Sequence, residues 1–130
     1  MPQLMKQWLV NLPKKYWTTA HILWAVVVFG LHAMSSKSSP KITLWENFGP
    51  DKIVHAFMFF VASSLATLSG WEKRTVVLVY FAAAVMLEFY QFYFTTDRSF
   101  DWFDATADGC GVIIALLLFR KNIAQRGTDH

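Results

Sequence analysis

Charge is the first thing this chain is short of. Charged residues fill 16% of 130 positions while hydrophobic residues fill 55%. Soluble domains run near a quarter charged, so this chain has too little charge to clothe a water-facing surface. Cysteine is almost absent: Cys110 stands by itself, which excludes an internal disulfide. It lies in an apolar run between two glycines and reads as a small packing residue. A net charge of +3, scattered in short clusters, is too weak for a nucleic-acid surface. The chain also lacks internal repeats, low-complexity tracts and a second domain. It has no nucleophile elbow, metalloprotease helix or phosphate loop.

What is present is apolar and aromatic. Aromatics reach 17%, with six Trp and twelve Phe, a composition suited to lipid-facing helices and interfacial belts. Four apolar stretches follow one another, Tyr16 to Met34, Ile53 to Gly70, Thr75 to Phe94 and Phe100 to Phe119. Each is about 18 to 20 residues, enough for a helix to cross a hydrocarbon core of about 30 Å. Backbone groups in lipid must bond within their own segment, and the stretches do not alternate with period two, so helices are expected and barrel strands are not. The expected fold is therefore all-α, a polytopic bundle of four transmembrane helices over residues 16–119. Residues 1–15 form an amphipathic cytoplasmic start suited to the membrane surface, and 120–130 a basic cytoplasmic tail. A signal peptide is an alternative for the first stretch, with lysines before it and Ala33-Met34-Ser35 after it. Its apolar part is longer than the usual signal core, which favours a retained span.

Basic residues set the orientation. With both termini cytoplasmic, the inner side holds Lys6, Lys14, Lys15, Lys73, Arg74, Arg120, Lys121 and Arg126, and the outer side Lys37, Lys41, Lys52 and Arg98. That excess favours both ends inside. In this topology the polar residues of the spans converge. Asp51, Lys52 and His55 open the second span, Glu88 and Gln91 sit near the end of the third, and Arg98, Asp101, Asp104 and Asp108 lead into the fourth. All of these ends face outward, so the pattern points to one polar pocket on the extracytoplasmic side. Small residues four apart on the fourth span, Ala105 and Gly109, Ala107 and Gly111, Gly111 and Ala115, allow a neighbouring helix to approach closely. Ser63 and Thr67 are similarly spaced on the second.

The run Asp51-Lys52-x-x-His55, then Glu88-x-x-Gln91, then Arg98-Ser99-x-Asp101-x-x-Asp104 with Gly111 after it, resembles the VanZ-like family of small bacterial membrane proteins. That family takes its name from an accessory protein associated with low-level teicoplanin resistance. The match spans about Asp51 to Ala115. One departure adds a carboxyl group: Asp108 stands where the family usually has Asn. The resemblance implies a multi-helix fold in the bacterial plasma membrane and a cell-envelope context, without naming a reaction.

An ionisable residue within a span is a functional candidate, because burying it in lipid is costly. His55 is expected as general base or nucleophile, oriented by Asp51 or Asp104, with Glu88 as the acid partner and Asp104 completing the catalytic set. Asp51, Lys52, Gln91, Arg98, Asp101 and Asp108 are the expected binding residues. Lys52 and Arg98 suit a phosphate, Gln91 an interhelical hydrogen bond, and Asp51 and Asp101 helix caps. A divalent metal such as magnesium is compatible with one histidine among carboxylates. The implied partners are membrane lipid and a lipid-linked or glycopeptide ligand. A different reading makes the polar network purely structural, fixing helix packing and the binding of a partner. A proton or ion pathway is disfavoured, since the inner halves of the spans lack ionisable residues to complete a route. His21 and His32 fall in no motif and receive no role.

Overall fold

The computed structural model describes residues 3–33, 50–94 and 102–119, which form five α-helices and, among those residues, no strand. They are α1 (Gln3–Asn11), α2 (Lys14–Ala33), α3 (Pro50–Leu68), α4 (Lys73–Phe94) and α5 (Trp102–Leu118). Four of them follow the four apolar stretches. The fifth, α1, comes from the amphipathic start, cut from α2 at Pro13, whose missing N–H cannot continue the helix. The Trp17 indole donates to the Leu9 carbonyl at 3.1 Å and ties the two helices together.

A tight turn joins α3 to α4. Gly70 adopts φ 97°, where a side chain would be strained, and Gly70 N–H and Trp71 N–H reach back to the carbonyls of Thr67 and Ala66 at 3.0 and 3.1 Å. This pair of bonds satisfies carbonyls that the end of α3 leaves open. The helices then run alternately up and down. On α2 and α4 the pairs His21–Tyr80 and Phe29–Tyr90 advance together, so these helices are parallel. On α3 and α5, His55 meets Asp108 and Ala56 meets Gly111, so these are parallel too.

At the centre lies α3, in contact with α2, α4 and α5. Its closest neighbour is α5, and the reason is Gly111. A Cβ placed there would stand 2.1 Å from the Ala56 carbonyl oxygen and 2.9 Å from the Phe60 nitrogen, so backbone lies on backbone. Gly109 abuts the Phe81 ring of α4. Cys110, between them, does not pack as the sequence suggested: it is exposed, because the helical turn that buries its two neighbours points it outward.

Polarity is distributed from inside to outside in an unusual way. The buried stripe of α4 is Val76, Tyr80, Ala84, Glu88 and Gln91, spaced along one face and turning polar at its end. Buried polar side chains also include His21, His32, His55, Asp104 and Asp108. Meanwhile Ile22, Leu23, Val26, Ile53, Phe57, Leu78, Met86 and Leu117 all stand exposed. Among the described helices, α4 is the one long and apolar enough by itself to meet the length and hydropathy expected of a membrane span; Lys52–Leu68 forms a shorter apolar helix.

Candidate functional site

The polar residues gather where α2 and α4 end and α3 and α5 begin. His55 is one turn into α3, and Asp108 and Glu88 are each about 9 Å from the nearer end of their helices at 1.5 Å per residue. Spacing decides who meets whom. Asp104 and Asp108 are four apart and present their carboxylates to one side of α5. Glu88 and Gln91 are three apart on the buried face of α4.

His55 is the hub. Its Nδ1 lies 3.1 Å from Asp108 Oδ1, and its Nε2 lies 4.0 Å from Asp104 Oδ2. With Asp108 ionised, Nδ1–H donates to it and Nε2 carries the lone pair. Asp104 divides its oxygens: Oδ1 sits 3.4 Å from the Lys52 ammonium while Oδ2 faces the imidazole. One ligand atom each from His55, Glu88 and Asp104 lie within 4.8 Å of one another, and the same holds for His32, His55 and Asp108. All five of these residues are buried.

Asp108 joins Asp104 as a carboxylate beside His55, and of these two it is the nearer to the imidazole, so it takes part in orienting the ring. Asp51 lies in the first turn of α3. Its side chain, and Arg98 and Asp101 altogether, lie outside the described residues. Gln91 Nε2 donates to the His32 carbonyl at 3.3 Å, an interhelical bond.

His32 is the residue that motif reasoning missed. It sits beside His55 with ring centroids 4.8 Å apart, and its Nδ1 donates to the Val28 carbonyl at 2.7 Å. That bond orients the ring and commits Nδ1 as its donor. A signal was available: His21, Trp24, Val28 and His32 recur at +3, +7 and +11, which is one face of a helix. His21 also corrects the view that the inner halves of the spans lack ionisable groups. It is buried, hydrogen-bonded to the Tyr80 hydroxyl and edge-on to Trp71 at 5.0 Å.

Directly along the bundle from the cluster runs an apolar crevice of about 450 Å³, between α2, α3 and α4. Val28, Phe29, Phe59, Met86, Leu87 and Tyr90 are among its walls. Phe29 and Met86 are also exposed at the bundle surface. Phe59 joins crevice to cluster, its ring 6.4 Å from that of His32.

The chain matches the family model described as VanZ/LLP1 over residues 11–125. No curated protein and no solved structure matches the chain.

Proposed function

The chain belongs to the VanZ/LLP1 family, and from that premise we propose that it is an integral protein of the bacterial plasma membrane. In this reading α2 to α5 cross the bilayer and their shared polar cluster handles the head of a lipid-linked, cell-envelope ligand at the outer face. The lengths of these helices, 17 to 22 residues, support the crossing. So does the placement of Leu, Ile, Val and Phe outside and of acids and histidines inside. Water would penalise the first and lipid would penalise the reverse. The excess of basic residues before α2, between α3 and α4 and after α5 supports cytoplasmic termini. A green fluorescent protein fused after His130 should then fluoresce, and an alkaline phosphatase fused there should be inactive. The opposite pair of results would reverse the orientation and turn the cluster inward.

One observation carries the ligand class: the apolar crevice and the polar cluster meet at Phe59 and His32. A hydrocarbon chain suits a wall of Val, Phe, Met and Leu, and the openings beside Phe29 and Met86 face the side from which a lipid would enter. The head would come to His55, whose Nε2 faces into the cluster. Asp108 holds the ring, Lys52 offers positive charge, and Glu88 and Asp104 complete the wall. Pockets of this volume are ordinary for small ligands. Native mass spectrometry of the protein released from nanodiscs that contain a polyprenyl phosphate should find one lipid retained. Ala83→Phe, which fills the crevice from α4, should lower retention about tenfold, equivalent to about 1.4 kcal/mol. Equal retention by the variant, or none by the unaltered protein, would remove the lipid-binding reading.

A further inference from the structure

We infer that His55, Glu88 and Asp104 form a binding site for a single divalent cation of the manganese or zinc type, with Asp108 as the residue that positions His55. The inference goes beyond lipid binding and stands whether or not a lipid enters the crevice. Its first ground is geometry. One ligand atom from each of the three side chains lies within 4.8 Å of the other two. Metal–ligand bonds of about 2.0 to 2.2 Å put neighbouring donors roughly 3 to 3.5 Å apart, so a small inward movement closes the set.

The second ground is the direction of the imidazole. A metal-binding histidine characteristically gives its other N–H to a carboxylate or a carbonyl, which fixes the ring and makes the metal-facing nitrogen more basic. His55 does this through Nδ1 to Asp108 Oδ1 at 3.1 Å, and its Nε2 faces Asp104 Oδ2. Asp104 turns Oδ1 toward Lys52 and Oδ2 toward the imidazole, so Oδ2 is the oxygen it would give to a cation shared with His55.

Charge supplies the third ground. Glu88, Asp104 and Asp108 are all buried, and Lys52 lies within ion-pair distance of Asp104. A divalent ion bound among these carboxylates would stabilise their ionised forms, as bound cations do in sites of low dielectric. The donor types choose among ions. Carboxylates suit magnesium, manganese and calcium, and imidazole suits zinc and iron, so a mixed set favours a borderline ion over magnesium. Three protein ligands leave coordination positions open, where a phosphate oxygen of a lipid head or a water would bind. A bound divalent ion would add to the attraction that Lys52 offers such a phosphate.

His32 belongs to a second grouping, with His55 and Asp108. It is not assigned to the metal, because Asp108 is already committed to His55 Nδ1. The two groupings therefore differ in what they predict. Protein purified in detergent, stripped with chelator and titrated with manganese should take up one ion per chain. The electron spin echo of the bound manganese should show coupling to one imidazole nitrogen. Glu88→Gln and Asp104→Asn should each weaken uptake by about 100-fold or more, Asp108→Asn by about 10- to 100-fold, and His32→Gln by less than about threefold. Helix content by circular dichroism identifies any variant that has failed to fold. The unaltered protein decides by itself: if it stays folded and binds neither manganese nor zinc, the metal site is refuted. Loss of uptake in His32→Gln with uptake kept in Asp104→Asn would overturn the assignment as well.

Discussion

Gly111→Ala should cost about 3 kcal/mol or more and leave little folded protein, although it adds one methyl group. The added carbon would stand 2.1 Å from the Ala56 carbonyl oxygen, and neither helix can yield without parting along its length. Contact through small residues is how helices associate in a bilayer, where apolar side chains gain nothing by leaving lipid for protein. Separating α3 from α5 would also pull His55 away from Asp104 and Asp108, so fold and site should fail together. Two other glycines make the internal comparison. Gly109→Ala meets the edge of the Phe81 ring at 3.3 Å, and a ring can shift, so a loss of about 1 kcal/mol is expected. Gly30→Ala meets nothing within 4 Å and should be neutral or stabilising by up to about 1 kcal/mol, since alanine favours the helix. Melting of the three variants in detergent, followed by size-exclusion chromatography, gives the order. If Gly111→Ala melts with Gly30→Ala, the close packing of α3 on α5 is wrong.

The closeness of that packing was legible in the sequence, because small residues four apart are a local pattern. So were the helices, because an apolar run of membrane length admits few other structures. The convergence of His55, Glu88, Asp104 and Asp108 also followed from simple counting, since alternating helices bring every second end to one side. Pairings across helices were not legible. Whether His55 turns to Asp51, Asp104 or Asp108 depends on the rotation of α3 against α5, which Gly111 sets by letting the two backbones touch. His32 escaped for a related reason. It belongs to no short motif, and its importance comes from the rotation of α2 that places His21, Trp24 and Val28 inward. Cys110 was misread because flanking glycines signal a packed helix without saying which of three consecutive residues faces the neighbour.

His55→Leu should be the second severe change, and its reversal by a second substitution separates a working site from a structural network. Removing the imidazole leaves Asp108, fully buried, without the ring 3.1 Å away that holds its charge. Breaking a buried pair from one side typically costs about 3 to 5 kcal/mol, because a buried charge loses a partner that water does not replace. Asp108→Leu should cost a similar amount by stranding the ring's N–H. The double variant His55→Leu/Asp108→Leu removes donor and acceptor together, and an apolar pair of similar volume is often neutral in place of a buried ion pair. Its melting temperature should therefore return most of the way to that of the unaltered protein, giving a coupling of about 2 kcal/mol or more in the double-mutant cycle. The folded double variant is then the decisive material. If the cluster serves only to fix packing, the restored bundle should retain polyprenyl phosphate and bind manganese as before. If His55 is the hub of a ligand site, the bundle should be sound and both kinds of binding lost. A double variant that folds and still binds both would leave the polar cluster as architecture alone.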